Sequence, residues 1–384
     1  MSEGQRYPFK LDDKQTSAMI RFAVTKPPER AQAIQWGKEN ILKWQSDPYL
    51  SNYGLDIEYD MLKSNAKILK PPVIQFGGTG KDSTIMPGTS GRWDLRGKKF
   101  FGPNPAALKA WSVCIVGGGP SGVSTTEAKT FIADFIKIYR GHGGVVANLQ
   151  PPIVLGSSDP AQSSMAAWQA AGNAVNMRPQ ILLFILPGKI TEVYNRIKKS
   201  CDCRFGVVSQ CVQAAHVKKN QAQYHSNVAM KVNAKLGGTT SRVIPSVGAS
   251  FFSKPTMIIG ADVSHAAPGL DAPSMAAMTM SMDKNACRYI AACQSNASHA
   301  EMIAERPIED MMKPTLQEWA TTVGAGALPQ HVYYFRDGVS ESQYHHVLDT
   351  EVARIRALMM KMSQCNKNYK VWLVSFFRRV LVIY

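Results

Sequence analysis

Acidic residues are scarce in this chain of 384 residues: 28 Asp and Glu stand against 44 Lys and Arg, a formal net charge of +16. Such an excess points to a polyanionic partner, nucleic acid before an anionic membrane surface. Long apolar runs are also missing, and nothing approaches the roughly 18–20 residues needed to span a bilayer. The start, MSEGQRYPFKLDD, has no apolar core of the kind a secretory signal requires. Seven cysteines form no CxxC pair, which argues against a zinc ribbon, and their odd number argues against a disulfide framework. A reducing compartment fits, and the expected setting is the cytoplasm, with the nucleus as a second one. No internal repeat is found. Hydrophobic residues make up 45%, enough for a packed core.

Residues 1–66 read as mostly helical, with DKQTSAMIRFAV and AQAIQWGKENILKW carrying apolar residues at helical spacing. Residues 67–107 are dense in Gly, Pro and Lys, the composition of a linker with short extended pieces. From about 110 strands and helices alternate: WSVCIV, TTEAKTFIADFIKIY, PPIVLG, SSMAAWQAAGNAV, QILLFIL, TEVYNRIKKS. That rhythm predicts a parallel sheet with helices on its faces. A second α/β unit starts near 255 with TMIIGADV. Two further strands are expected around the turn DKNA, then a helical stretch opened by HAEMIAER and broken or kinked at Pro307. The strand QHVYYFRDG, the long helix ESQYHHVLDTEVARIRALMMKM and the strand YKVWLVSFF complete it.

Three groups of residues bear on chemistry. VCIVGGGPSGVS holds G-x-G-x-x-G at Gly117, Gly119 and Gly122 between a strand and a helix, as a dinucleotide fingerprint does. Such a site also needs an acid at the end of the second strand. The candidate second strand, GGVVANLQ, offers only Asn148, so a flavin- or nicotinamide-dependent oxidoreductase is the alternative reading. Residues 189–235 hold nine Lys or Arg and two acids. There Tyr194 and Lys198 share a helix face at i,i+4, the ring suited to stack on a base and the ammonium to meet phosphate. Lys231 and Lys235 repeat the spacing, and Gly237-Gly238 are placed to close their helix. A solvated basic face explains the same spacing equally well. Finally, Asp262 and Asp337 each end an apolar strand, and Glu301 opens the stretch between them. Carboxylates converging at one sheet edge can hold paired Mg²⁺ or Mn²⁺ about 4 Å apart, an arrangement suited to phosphodiester hydrolysis. An Asp before a Gly, as at Asp337, is also an ordinary turn residue.

Taken in order, LPGK, GVVSQCVQ, NVAMKVNAKLGG, ADVSH, CRYIAACQS and YYFRDGVSESQY resemble the MID and PIWI domains of a eukaryotic Argonaute, and LDDKQTSAMIRFAV and RWDLRGKKF resemble the linker after its PAZ domain. The resemblance implies a linker segment at 1–107, a Rossmann-like MID domain at 108–240 and a ribonuclease H-like PIWI domain at 241–384. It implies a protein of small-RNA-guided gene silencing whose partners are a guide RNA, a target RNA and other silencing proteins, with no membrane. The family's stacking tyrosine falls on Tyr194 and its phosphate ligands on Lys198, Gln210 and Lys235, with Lys231 and Cys211 close by. Its metal-binding aspartates fall on Asp262 and Asp337 and its mobile glutamate on Glu301, so Mg²⁺ or Mn²⁺ is the implied cofactor of an endoribonuclease. The family pattern continues past YKVWLV to a histidine that SFFRRVLVIY does not match. The resemblance therefore implies a PIWI domain truncated before its end and a metal site lacking its fourth residue.

Overall fold

A computed structural model describes residues 11, 13–44, 47–80, 83–117, 122–244, 253–266, 270–363, 369–377 and 380–383. The chain divides into two units, Met1–Leu69 with His265–Pro273, and Lys70–Ser264 with Ser274–Tyr384. The change of composition near 67 thus falls at a structural boundary.

The first unit carries helices α1 (Asp13–Ala23), α2 (Pro27–Gly37) and α3 (Pro48–Asn52), with α2 running on into a wider turn at Lys38–Leu42. Both helical readings of this region are met. Large apolar side chains stay in solvent here, Phe22 at 83% and Leu62 at 96% exposure.

The second unit opens with β1 (Val73–Gln75) and β2 (Thr84–Ile85), an antiparallel pair. β3 (Trp111–Ile115) then leads to α4 (Thr125–Gly141), β4 (Ile153–Leu155), α5 (Pro160–Val175), β5 (Ile181–Leu186), α6 (Thr191–Lys199) and β6 (Val208–Gln213). The four strands form one parallel sheet in the order β4-β3-β5-β6. Every residue of β3 and β5 is buried, because helices cover both faces of a central parallel strand and leave no solvated side. α4 starts at a capping box: Ser124 Oγ accepts from the Glu127 amide, and Glu127 accepts in return from the Ser124 amide. Its face of Ala128, Phe131, Ile132, Phe135 and Tyr139 packs on the sheet.

The segment GGVVANLQ is not a strand. It makes only an isolated bridge from Val146 to Leu108, since Gly143 (φ 95°) and Gly144 turn the chain back beneath Tyr139. The strand beside β3 is β4. The acid that follows it, Asp159, caps α5 through the Ala161 amide at 2.9 Å. Gly119 of the glycine motif lies outside the described residues.

α7 (Ala214–Lys219) and α8 (Ala222–Lys235) return the chain across α4 to β7 (Arg242–Ile244), which pairs with β1. A six-stranded sheet follows, built from β8 (Thr256–Ser264), β9 (Ser274–Ser281), β10 (Tyr289–Asn296), β11 (His331–Arg336), β12 (Lys370–Phe377) and β13 (Val380–Ile383) in the order β10-β9-β8-β11-β12-β13. β8, β11 and β12 are parallel, and the outer strands run antiparallel. Burial alternates residue by residue along β9 and β11, as in a sheet with one face on a core. That core contains α9 (Glu305–Thr322) and the helical stretch of α10 (Tyr344–Val347) and α11 (Ala353–Ser363). HAEMIA is not helical. α9 starts at Glu305 and takes Pro307 into its first turn, where no intrahelical bond is lost.

Candidate nucleic-acid and metal-dependent site

α6 is strongly amphipathic, and only Ile197 of it is buried. Its exposed side brings Tyr194 and Lys198 together, with the ammonium 5.7 Å from the ring centroid. Tyr194 is 43% exposed, so its ring face is open to a planar ligand. β6 runs alongside. Lys198 Nζ donates to the Ser209 carbonyl at 2.9 Å and to its hydroxyl at 2.8 Å. From α8, Lys235 Nζ donates to the same carbonyl at 2.6 Å and to Gln210 Oε1 at 2.9 Å. Two cations on different helices therefore converge on one backbone oxygen. Desolvation, with Lys198 and Lys231 close by, lowers the Lys235 pKa from the ordinary lysine value to about 8. Burial raises the Cys211 thiol pKa against the pull of Lys198 and Lys235. All six residues expected at this end, Tyr194, Lys198, Gln210, Cys211, Lys231 and Lys235, thus fall in one neighbourhood. Like charges held together in partial desolvation form a site that an anion stabilises.

Ser209 was not among the candidates. Its main contribution is a backbone carbonyl, which every residue carries, so no side-chain pattern marks it. α8 closes as expected: Leu236 ends it and Gly237 follows in the left-handed region (φ 85°).

At the carboxyl edge of the six-stranded sheet, Arg336 pairs in register with Ala261, and the Asp337 amide donates to the Ala261 carbonyl at 3.1 Å. Asp262 does not end its strand, since β8 runs on to Ser264, and Asp337 is the residue after β11; the two are thereby held beside each other at one edge, both exposed. Glu301 comes to the same place from the loop before α9. A Cβ on Gly338 would lie 3.2 Å from Glu301 Oε1 and 3.5 Å from Asp262 Oδ1, so both carboxylates border that glycine. Gly338 has φ 82°, a conformation side chains rarely adopt, and its amide donates to Asp337 Oδ1 at 2.9 Å.

Behind the edge lies a charge pair that the sequence reading did not single out. Arg336 is fully buried; its Nε meets Glu351 Oε2 at 3.1 Å, also fully buried. Arg336 Nη2 donates to the Glu301 carbonyl and lies 3.3 Å from Glu301 Oε1, while Nη1 donates to the Asp337 carbonyl. Glu351 further accepts from Tyr334 Oη at 2.6 Å and from the Ile303 amide at 2.8 Å. Desolvation opposes the Arg336 charge, but Glu351, Tyr334 and Glu301 outweigh it and raise the guanidinium's pKa. Burial first, and Glu351 second, keep Tyr334 protonated.

Carboxylate oxygens at a sheet edge are the donors that hard divalent cations select. Asp262 and Asp337 fit such a role, and Glu301 is within reach of it. Among the described residues, no three His, Cys, Asp or Glu side chains already close on one point at ligand distance. No helix among the described residues is long and apolar enough to cross a membrane.

Family models match three consecutive parts of the chain: an Argonaute linker 2 domain over residues 29–76, the Mid domain of argonaute over 87–157 and a Piwi domain over 181–380. Among curated proteins the chain is similar to Protein argonaute of Schizosaccharomyces pombe, 33% identical over 366 residues. That match covers 94% of this chain and 42% of the relative, so the chain spans about two fifths of the length of the protein it matches. Among solved structures, Kluyveromyces polysporus Argonaute with a guide RNA superposes with a TM-score of 0.76 at 24% identity, over 98% of this chain and 43% of that one. Drosophila Piwi gives a TM-score of 0.76 at 16% identity, over 96% and 48%. At such identities the two structures establish the fold: α/β, a MID-like sheet followed by a ribonuclease H-like PIWI sheet.

Proposed function

Because the chain belongs to the Argonaute family and carries its Piwi domain, we propose that it acts in small-RNA-guided silencing, gripping the 5′ phosphate of a guide RNA between α6, β6 and α8. The observation that carries this reading is the convergence of the Lys198 and Lys235 ammoniums on the Ser209 carbonyl, beside the open ring of Tyr194. In the free protein the two lysines lean on neutral acceptors. A phosphate supplies charged ones, each such bond about twice as strong as a neutral one. Gln210 adds an amide, and Tyr194 takes the first base by stacking. The test compares 5′-phosphorylated with 5′-hydroxyl RNA of one sequence. A clear preference for the phosphate, lost in Lys198→Ala, supports the pocket; equal affinity that Lys198→Ala leaves unchanged removes it.

A second activity, cleavage of a target RNA paired to the guide, is supported by the adjacency of Asp262 and Asp337 at the sheet edge. Mg²⁺ or Mn²⁺ held there would activate water and stabilise the leaving oxygen. Asp262 and Asp337 would be the holding residues. Arg336 keeps the Glu301 carboxylate at the margin of the site, and Gly338 leaves the space into which it projects. Guide and target RNA are the partners of this proposal, other silencing proteins its wider setting, and the cytoplasm or nucleus its compartment. The glycine motif after β3 finds no support as a dinucleotide site, because the acid after β4 is committed to capping α5.

A further inference from the structure

Asn296 is the last residue of β10 and is only 6% exposed. Its side chain bonds three times to the loop that follows it. Nδ2 donates to the Ala300 carbonyl at 3.0 Å and to the Met302 carbonyl at 2.9 Å, and Oδ1 accepts from the Ala304 amide at 3.2 Å. Ala300 and Met302 are the two neighbours of Glu301. The carbonyl of Glu301 itself is taken by another side chain, Arg336 through Nη2. Three consecutive carbonyls are therefore held in alternation by two side chains. Because each peptide unit is planar, this fixes the backbone on both sides of Glu301 and with it the direction in which the side chain leaves the chain.

The loop does not supply this shape unaided. His299 stands at φ 53°, a left-handed conformation unfavourable to a residue with a side chain. The Ala300 amide reaches the Ala297 carbonyl at 3.2 Å and closes a turn ahead of Glu301. Ile303, 2% exposed, fixes the far end in the core, and its amide donates to Glu351. Between the turn and that end, the peptides around Glu301 rest on Asn296 and Arg336.

An asparagine at a strand end can serve simply to start the next helix. The bond from the Ala304 amide is of that kind: Ala304 is the N-cap of α9, and Asn296 does for it what the carboxylate of a capping box does. That duty uses one acceptor and no donor. Here both hydrogens of the amide are also engaged, one on each side of Glu301, a task that asparagine can perform and aspartate cannot. The amide is neutral, so it holds the loop without adding charge beside Asp262, Asp337 and Glu301.

We propose that Asn296 is a positioning residue for Glu301, holding both of its neighbouring peptides so that the carboxylate stands at the edge that carries Asp262 and Asp337. The inference rests on the reading of that edge as a metal-dependent site. It assigns to Asn296 the orientation of a carboxylate that Asn296 does not itself touch.

The test is Mn²⁺ binding to the full chain, read from the electron paramagnetic resonance of the free ion, with amide hydrogen exchange followed on the same proteins. Glu301→Gln sets the scale. Asn296→Ala is expected to weaken Mn²⁺ binding about tenfold, to the level of Glu301→Gln. Asn296→Asp should do the same, since an oxygen then faces the Ala300 and Met302 carbonyls. Asn296→Ala/Glu301→Gln should bind no more weakly than Glu301→Gln alone, as follows when one residue acts through the other. Exchange of the Ala304 amide should quicken about tenfold or more in Asn296→Ala, while the paired amides of β8 and β9 keep their protection. Wild-type Mn²⁺ affinity in Asn296→Ala overturns the assignment and leaves the metal edge standing. A double variant whose loss is the product of the two single losses also overturns it, as does protection lost across β8 and β9, for Asn296 would then support the fold at large. Wild type that binds no Mn²⁺ removes the metal edge itself, and this inference with it.

Discussion

Arg336 and Glu351 form a fully buried ion pair, Nε to Oε2 at 3.1 Å, beneath the edge that carries Asp337 and Glu301. The pair ties together three pieces of chain distant in sequence: β11, the helical stretch after it and the loop that delivers Glu301. Its geometry decides where two of the three candidate carboxylates stand.

Removing one partner leaves the other charged and buried. Glu351→Ala is therefore expected to destabilise the fold by about 3–5 kcal/mol. Replacing both, Arg336→Met/Glu351→Leu, should cost less than Glu351→Ala alone. Urea unfolding of the three proteins checks this; a Glu351→Ala loss below about 1 kcal/mol would contradict the bracket.

Gly338 sits between Glu301 and Asp262 with φ 82°. Gly338→Ala adds a methyl against both carboxylates in a strained backbone conformation. Guide RNA binding is expected to stay within about twofold while any metal-dependent cleavage falls at least about tenfold. Parallel binding and cleavage assays read both; equal loss of the two would point to unfolding of the domain instead.

Asp262→Asn keeps the shape of the edge and removes a charge. It should abolish Mg²⁺- or Mn²⁺-dependent target cleavage, a loss of more than about 100-fold, and leave the affinity for 5′-phosphorylated RNA intact. Cleavage by wild type that persists in Asp262→Asn would place the chemistry elsewhere.

The Lys235 ammonium, with its pKa lowered to about 8, is charged below that pH and increasingly neutral above it. A phosphate favours the charged form, so binding takes up a proton at alkaline pH. Affinity for 5′-phosphorylated RNA should hold steady below pH 8 and fall as pH rises past it, by up to about tenfold per pH unit until the pKa in the complex is reached. Titrations from pH 7 to 9.5, with 5′-hydroxyl RNA as control, test the slope. A flat profile would show that Lys235 does not meet the phosphate.

Much of the molecule is legible in its letters. ILLFIL reads as a buried parallel strand because it has no polar side to turn outward, and β5 is buried throughout. Tyr194 and Lys198 share a helix face because four residues make about one turn. GGVVANLQ misleads: Val145 and Val146 favour a strand locally, yet paired glycines and the Tyr139 ring bend the segment over the helix end. HAEMIAER also misleads, since good helix formers precede a proline that belongs in a first turn. Arg336 and Glu351 escape notice for another reason. Fifteen residues apart, they read as ordinary surface charges, and nothing local says that both are buried.

What the sequence by itself determined is the alternation of strands and helices, the apolar strands that carry Asp262 and lead to Asp337, and the basic stretch around Lys198 and Lys235; each follows from periodicity or from residue chemistry acting over a few positions. Only the tertiary structure decided that Lys198 and Lys235 share the Ser209 carbonyl and that a buried guanidinium holds Glu301 at the carboxylate-bearing edge of the sheet. Those relations arise from strand register and helix packing between distant segments, where a contact depends on three-dimensional closure and leaves no mark in the local order of residues.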